Sequence, residues 1–95
     1  MHIISRKKLK EAAARHPELQ GPLDAWFRIA KKASWRNLVE VQTTFSSAEA
    51  AGRWTVFNIK GNHFRLITEI NYAGGRIYLR HVLTHADYGR GGWKQ

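Results

Sequence analysis

Two stretches decide the fold: Trp54-Thr-Val-Phe-Asn-Ile-Lys-Gly-Asn-His-Phe-Arg-Leu-Ile-Thr-Glu-Ile-Asn-Tyr72, and then Arg76-Ile-Tyr-Leu-Arg-His-Val-Leu-Thr84. Apolar and polar residues alternate through both, which is the pattern of a strand with one buried and one exposed face. Two short segments interrupt the alternation with the Gly and Asn residues that tight turns favour, Lys60–His63 and Ala73–Gly75. The sequence therefore predicts three consecutive antiparallel strands.

The alternation also predicts which residues share each face of this sheet. The apolar face should hold Phe57, Ile59, Phe64, Leu66, Ile70, Ile77, Leu79 and Leu83. The opposite face should hold Asn58, Lys60, Arg65, Ile67, Glu69, Tyr78 and Arg80. A face with this many charges cannot form a core, because the charges would lose water without enough partners. It is either a solvated face, which alternation alone favours, or a surface that binds anions.

Composition narrows the class of protein. The 95 residues suffice for one domain, 1–95, and a hydrophobic fraction of 43% supports a core. The 16 Lys and Arg residues against 7 Asp and Glu give a formal charge of +9, which favours nucleic acid or an acidic protein as partner over an anionic membrane. Without cysteine, the chain has no disulfide and no thiolate metal site.

The beginning of the chain indicates a location. Residues Met1 to Lys8 lack the apolar run of a signal peptide, and no stretch reaches the length of a membrane span. We therefore expect a cytoplasmic protein without a membrane partner.

The remaining segments predict helices around the sheet. His2–Ile4 is apolar and suits a short strand, and Ser5 is a good N-cap. We expect three helices: one over 6–16, one from Pro17 or Pro22 to Ala33, and a short one within 35–45. Residues 46–52 should form a connection. The Gly-rich tail over 89–95 should be mobile unless Trp93 docks. The prediction is an α+β fold, with an N-terminal short strand and a helical hairpin packed on one face of a mainly antiparallel sheet.

Several kinds of chemistry are poorly supported by the residues present. His81 and His85 are four apart but straddle a strand end, so they make a poor metal site, and no Gly-x-Ser-x-Gly turn occurs. Metal-free phosphoryl transfer within RNA remains, because the RNA 2′-hydroxyl is itself the nucleophile and the protein supplies proton transfer and cations. His85 and Tyr88 follow the last strand, where we expect both to lie near Arg80.

Two segments resemble a known family: Phe57-Asn-Ile-Lys-Gly-Asn-His-Phe-Arg-Leu66, and Tyr78-Leu-Arg-His-Val-Leu-Thr-His-Ala-Asp-Tyr88. Together with the start Met1-His-Ile-Ile4 and the Lys-rich segment after it, they are similar to the HigB-type toxins of the RelE/ParE superfamily. The resemblance implies a RelE-like fold and a ribosome-dependent mRNA interferase that cuts mRNA at the 30S decoding site, next to rRNA, with no metal or cofactor. It also implies a HigA-type antitoxin with a helix-turn-helix domain, in a higher-order complex such as a heterotetramer.

The same resemblance implies roles for particular residues. Arg65 and Arg80 would hold the scissile phosphate, His85 would stand where the superfamily places a catalytic Arg or His, and Tyr88 where it places an aromatic or acid–base residue. Residues expected to contact RNA are Asn58, Lys60, His63 and Lys94. The resemblance does not fix which residue is the general base and which the general acid.

Other interpretations stay open at this point. The chain could be a non-catalytic RNA-binding module, in which Trp54 and Tyr78 stack on bases, or a gyrase-poisoning toxin of the same superfamily. Among single residues, we expect His81 in the core and Asn62 at a turn position with positive φ. Substituting Ala for Arg65 or His85 is predicted to relieve growth inhibition in a protein that still folds.

Overall fold

A five-stranded sheet lies at the centre of the computed structural model, which describes residues 1–94. The strands are β1 (His2–Ile4), β2 (Glu49–Ala51), β3 (Trp54–Ile59), β4 (Phe64–Asn71) and β5 (Arg76–Thr84). The helices are α1 (Lys7–Arg15), α2 (Gln20–Lys32), α3 (Leu38–Thr44) and α4 (His85–Arg90), with 3₁₀ turns at Pro17–Leu19 and Gly92–Lys94. The predicted α+β class is confirmed, and the predicted helices begin and end within a few residues of the observed ones.

The strands lie in the order β1-β5-β4-β3-β2. The predicted antiparallel meander β3-β4-β5 is confirmed, and β1 joins it in parallel, with Ile3 opposite Ile77. The strand β2 was not predicted, because 46–52 was expected to be only a connection. Its Glu-Ala-Ala sequence has little strand preference of its own, and pairing with β3, where Ala50 lies opposite Thr55, makes it a strand.

One face of the sheet, here called the inner face, packs against the helices. Its centre is Phe57, whose ring makes edge contacts with Trp26 of α2 and with Phe45 after α3, each at 5.3 Å between ring centroids. The buried residues of this core are Leu9, Ala12, Leu19, Leu23, Trp26, Ala30, Trp35, Val41, Ala48, Phe57, Ile59, Phe64, Leu66, Ile77 and Leu79. The core thus joins α1, α2 and α3 to the three long strands through one apolar layer.

A bulge in β5 changes which residues reach each face. Ile67 lies opposite His81, but Thr68 lies opposite Leu79, so Arg80 has no partner across the ladder. Because one extra residue reverses the alternation, Leu83 joins the face opposite to that of Leu79. The prediction that Leu83 shares the inner face is therefore wrong, as is that of a core His81, which is only half-buried.

The second face, the outer face, carries a smaller apolar cluster. Val56, Ile67 and Trp93 are buried there, with Leu83 and Tyr88 packed against them. Trp93 reaches the sheet because Gly91, with φ 76°, ends α4 and turns the chain back. The tail is therefore docked as far as Lys94, and Gln95 lies outside the described residues. Within residues 1–94, none of the helices has the length and apolarity that crossing a membrane requires.

Candidate functional site

The β3–β4 hairpin and the start of α4 meet at one end of the sheet. Arg65 is the second residue of β4, and His85 is the first residue of α4, which follows β5 without a loop. The backbone N–H of His85 donates to the carbonyl of His63 at 2.9 Å and so joins the hairpin to the helix. This junction brings together three of the four predicted catalytic residues, Arg65, His85 and Tyr88.

The hairpin turn positions Asn62 for a role that sequence reasoning did not find. Positive φ angles occur at Lys60 (54°) and Gly61 (63°), rather than at Asn62 as predicted. These two residues open a four-residue loop between Ile59 and Phe64, which the backbone N–H of His63 closes by donating to the carbonyl of Lys60 at 3.3 Å. Asn62 then turns both its backbone carbonyl and its side-chain oxygen towards Arg65.

Arg65 is a buried cation with internal partners. The residue is only 7% exposed. Its Nη1 donates to the backbone carbonyls of Asn62 at 3.1 Å and Phe64 at 3.2 Å. Nη2 donates to the side-chain oxygen of Asn62 and to Nδ1 of His85, the latter at 3.2 Å. The four contacts match the four N–H groups on the two terminal nitrogens, so they offset the loss of water around the charge.

The contact with Arg65 determines the tautomer of His85. A guanidinium has only donors, so Nδ1 of His85 must be the acceptor in this contact. In the neutral ring, the proton then sits on Nε2, which can donate a hydrogen bond to an anion. Arg65 thus orients His85 and selects the nitrogen that carries its proton.

Tyr88 is held from three sides. Its hydroxyl donates to Oε1 of Glu49 at 3.0 Å, and its ring stacks on Trp93 at 5.3 Å with 16° between the planes. The Arg65 guanidinium carbon lies 5.4 Å from the centre of the same ring. Burial, and then the neighbouring Glu49 carboxylate, raise the pKa of Tyr88 against the opposing charge of Arg65, so the phenol stays protonated at neutral pH.

Glu49 is the site residue that sequence reasoning missed. It lies in β2, which pairs with β3 so that Glu49 is opposite Val56, and its side chain reaches Tyr88, 39 positions further along the chain. No local pattern marks Glu49, because its role depends on the pairing of an unpredicted edge strand.

The first turn of α4 sets the spacing of His85 and Tyr88. Thr84 caps the helix, since its hydroxyl accepts from the backbone N–H of Asp87 at 3.1 Å. Residues three apart lie on one side of a helix, which places His85 and Tyr88 towards Arg65 together. The side chain of Asp87 pairs with Arg90 at 3.0 Å.

Arg80, the fourth predicted catalytic residue, has different partners. Its Nε lies 3.2 Å from Oε1 of Glu69, an oxygen that also pairs with Nε of Arg53 at 3.5 Å. Its guanidinium carbon is 5.3 Å from the centre of the Tyr78 ring. The prediction that His85 and Tyr88 lie beside Arg80 is therefore corrected: their guanidinium partner is Arg65, and Arg80 belongs to a separate group of charges.

The four residues predicted to contact RNA fall into two groups. Asn58 is half-buried opposite Arg65, while Lys60 and His63 are exposed in the adjoining turn. Lys94 is exposed beyond α4, with its ammonium 5.6 Å from the centre of the Trp93 ring. Three of the four thus lie at the same end of the sheet as Arg65.

The surroundings of His81 and His85 do not suit a metal ion. His85 faces the Arg65 guanidinium, and burial together with the charges of Lys8 and Arg80 lowers the pKa of His81. Across residues 1–94, His, Asp and Glu side chains do not gather in groups of three or more that could hold a metal ion. The cluster of Arg65, His85, Tyr88 and Glu49 therefore offers a buried cation, an imidazole, a phenol and a carboxylate.

Comparison with known proteins places this arrangement in a family. A sequence model of the HigB toxin family, described as the RelE-like toxic component of a toxin–antitoxin system, matches residues 19–91 and so includes the whole cluster. The "mRNA interferase HigB" of Escherichia coli O6:H1 is 30% identical over 91 residues, covering 93% of this chain and 88% of the relative. The "mRNA interferase toxin HigB" of Escherichia coli K12 and the "mRNA interferase HigB" of Shigella flexneri are each 29% identical over the same shares. The chain therefore belongs to the HigB toxin family, the RelE-like toxic component of a toxin–antitoxin system.

Proposed function

We propose that this protein is an mRNA interferase, the toxin of a type II toxin–antitoxin system, and that it cleaves mRNA on the ribosome. The observation that carries the proposal is the contact between buried Arg65 and Nδ1 of His85, with Tyr88 on the same side of α4. The names of the relatives supply the substrate, since three of them are called mRNA interferases. The cluster supplies groups that suit phosphoryl transfer without a metal.

The proposed reaction uses the RNA as its own nucleophile. The 2′-oxygen forms a bond to the adjacent phosphorus, and the bond from phosphorus to the 5′-oxygen of the next nucleotide breaks. Because the 2′-oxygen is the nucleophile, no water attacks the phosphorus. The proton of the 2′-hydroxyl passes to the protein, and the 5′-oxygen takes up a proton from solvent water. The protein has to position the phosphate, accept the first proton and stabilise the charge that develops on the phosphoryl oxygens.

The hydrogen bonds in the cluster support a division of roles. With its proton on Nε2, His85 is suited to donate to a phosphoryl oxygen, and the Arg65 charge behind it favours negative charge there. The hydroxyl of Tyr88 already donates to Glu49, which leaves the lone pairs of its oxygen available to accept a proton. A 2′-hydroxyl proton would pass to Tyr88 while the Tyr88 proton passes to Glu49. Arg65 would act through charge and orientation, because its terminal N–H groups are occupied.

Exposed polar and basic side chains beside the cluster suit the approach of RNA. Lys60 and His63 lie in the turn next to Arg65, and Lys94 lies beyond Trp93. We assign these residues, with Asn58, to contacts with the RNA backbone.

The proposed partners follow from charge and family. A toxin with a formal charge of +9 requires neutralisation, and an acidic segment of a HigA-type helix-turn-helix antitoxin is the proposed means, in a higher-order complex such as a heterotetramer. The small-subunit decoding site supplies mRNA and rRNA as the polyanionic surroundings in which the toxin would act, in the cytoplasm.

The test compares two histidine variants during induced expression. His85→Ala should lower the cleavage rate about a hundredfold, a typical effect of removing one group that assists proton transfer or donates to the transition state. His2→Ala is the matched control, because His2 is exposed in β1 at the opposite end of β5. Growth, and mapping of new 5′ ends on translated messages with and without chelator, are the measurements.

The outcomes separate the candidate functions. New ends in translated messages that appear with wild type and His2→Ala, persist in chelator and vanish with His85→Ala support the proposal. Equal toxicity of His85→Ala at matched expression contradicts it. DNA-damage signalling without mRNA cleavage would indicate a gyrase poison, and RNA binding without cleavage would indicate a non-catalytic module.

A further inference from the structure

Two arginines on the outer face share a single carboxylate, away from the cluster around Arg65. Nε of Arg80 and Nε of Arg53 lie 3.2 and 3.5 Å from the same oxygen of Glu69. The side chains of Arg53 and Arg80 are 66% and 45% exposed, whereas that of Glu69 is 30% exposed. One carboxylate cannot neutralise two guanidinium groups, so the group keeps a net positive charge that faces solvent.

Aromatic rings support both guanidinium groups. The guanidinium carbon of Arg53 lies 4.5 Å from the centre of the Trp54 ring, and that of Arg80 lies 5.3 Å from the centre of the Tyr78 ring. Rings that pack against a guanidinium restrict its motion and leave its edge N–H groups free to bind an anion. Both arginines are thus preorganised as forks that match the oxygen atoms of a phosphate.

A chain of contacts links this group to the proposed reaction site. Trp93 makes an edge contact with Trp54 at 5.3 Å and a stacked contact with Tyr88 at 5.3 Å. Along β4, Glu69 lies four residues from Arg65, about 13 Å at the rise of a strand. A phosphate bound by Arg53 and Arg80 is therefore too far from the His85 cluster to be the scissile one, since a direct hydrogen bond spans about 3 Å.

We propose that Arg53 and Arg80 form a second subsite, which binds a phosphate of the same single-stranded RNA at a nucleotide that flanks the cleavage point. The inference rests on the proposed function for the identity of the RNA as substrate. It assigns Arg80 to binding rather than to the reacting atoms, and it adds Arg53, which the sequence did not single out. In the free protein Glu69 holds only the Nε of each arginine, and phosphate displaces it.

The role of Glu69 gives the proposal a distinctive consequence. If Glu69 competes with phosphate for the arginines, then removal of its charge should strengthen RNA binding by about fivefold, the effect of one unit charge about 4 Å away in water. A purely structural ion pair predicts the reverse or no change, because loss of the carboxylate would only loosen the two arginines.

The experiment measures binding rather than cleavage. The probe is a fluorescein-labelled, fully 2′-O-methylated RNA of about twelve nucleotides, which lacks the attacking hydroxyl and covers a typical single-strand site. Fluorescence anisotropy at several salt concentrations gives the slope of log Kd against log salt. Each phosphate contact contributes about 0.7 to this slope for a single strand.

Wild type is compared with Arg53→Gln, Arg53→Lys, Arg80→Gln and Glu69→Gln. Because the two arginines share one phosphate, each Arg→Gln variant should reduce the slope by up to about 0.7. Arg53→Lys should keep the slope while weakening binding, because the charge remains but the fork is lost. The pair Arg36 and Glu40, at 2.9 Å, supplies matched controls on α3 and its N-terminal flank. Arg36→Gln and Glu40→Gln change the net charge by the same amounts, so they measure the effect of net charge alone.

Two results would overturn the subsite: Arg53→Gln giving the same slope as Arg36→Gln, or Glu69→Gln binding RNA no more tightly than Glu40→Gln. An effect of these variants on binding of the purified antitoxin, with RNA slopes unchanged, would also overturn it and assign the surface to the protein partner. Because the probe cannot be cleaved, failure of the subsite and failure of the proposed cleavage give different results. A protein that binds RNA as described but never cuts mRNA would support the subsite and contradict the proposed enzymatic function.

Discussion

The two faces of the sheet are built differently. The inner face is a continuous apolar layer under α1, α2 and α3, with Phe57 among several aromatic rings. The outer face has only a small cluster around Val56 and Ile67, covered by Trp93, and beside it lies the buried cation Arg65. The difference indicates that the inner face provides most of the stability, whereas the outer face uses a little apolar burial to fix polar groups in position.

The largest effect is expected for Phe57→Ala on the inner face. Phe57 is buried against Trp26, Trp35 and Phe45, so its removal leaves a cavity and should lower the free energy of unfolding by about 4 kcal/mol. Urea unfolding followed by tryptophan fluorescence measures the loss. Val39→Ala is the control, because Val39 is 70% exposed on α3 and its loss should be small. A loss below about 2 kcal/mol for Phe57→Ala would show that the inner layer collapses around the gap.

Periodicity predicted the inner face well because local sequence and burial agree there. In β3 and β4, successive side chains alternate between the two faces without interruption. The helices carry apolar residues three and four positions apart, which places them on one buried side. The bulge at Arg80 broke the same rule in β5, since a single extra residue moves Leu83 to the other face without any mark in the sequence. Such a feature is set by the pairing of strands, which one strand's sequence does not contain.

The candidate site was only partly predictable for the same reason. His85 and Tyr88 follow from their spacing and from the resemblance, but their partner proved to be Arg65 instead of Arg80. By alternation alone, Arg65 and Arg80 both belong to the face opposite the inner one. Only the hairpin turn and the start of α4 determine that Arg65, rather than Arg80, contacts His85. Glu49 acts through an edge strand that forms by pairing, so its role could not be found before β2 was placed.

The next largest effect is expected for Arg65→Ala on the outer face. The sequence alone predicted that this variant folds normally, but the buried network changes that expectation. Two backbone carbonyls, the Asn62 side chain and Nδ1 of His85 would lose their donor, which should cost about 2 to 3 kcal/mol as well as activity. Arg90→Ala is the control, since Arg90 is exposed and its pair with Asp87 should contribute less than about 1 kcal/mol. Normal stability of Arg65→Ala would mean that water replaces the guanidinium without loss.

The outer cluster gives a smaller expected effect than the inner core. Trp93→Ala removes the ring that covers Val56 and Ile67, but the site lies at the surface and water can fill it, so we expect a loss of about 2 kcal/mol. Tyr88 would also lose its stacked partner, so cleavage should fall more than stability alone explains. Denaturant unfolding and the single-turnover cleavage rate, measured on one preparation, test both effects. A loss equal to that of Phe57→Ala would remove the distinction between the two faces.

A change at the cap of α4 should be smaller again. Thr84→Ala removes the acceptor for the backbone N–H of Asp87 and should cost about 1 kcal/mol. The first turn of α4 carries His85, so fraying there should reduce cleavage while the inner core remains intact. Thr84→Ser keeps the hydroxyl and should behave as wild type. Hydrogen exchange of the α4 amides measures the fraying, and unchanged exchange in Thr84→Ala would show that contacts with β4 and β5 hold the helix without its cap.

The smallest effect concerns pH and His81, beside the bulge. Burial, and then the charges of Lys8 and Arg80, lower the pKa of His81 below its ordinary value of 6.5 in the folded protein. The unfolded chain therefore takes up the proton first as the pH falls, so the folded state loses stability from about pH 6.5 down to the lower folded pKa, and is unaffected above that range.

His81→Gln should reduce this loss of stability while leaving stability near pH 8 almost unchanged. The free energy of unfolding in urea, measured at several values between pH 5 and 8, provides the test, with His2→Gln as the control because His2 is exposed on β1. If both variants show the wild-type pH dependence, the charge on His81 does not oppose folding, and the bulge admits enough water to solvate the imidazolium. That result would show that water reaches β5 beside the bulge as it reaches the outer face, and that only the inner face excludes water.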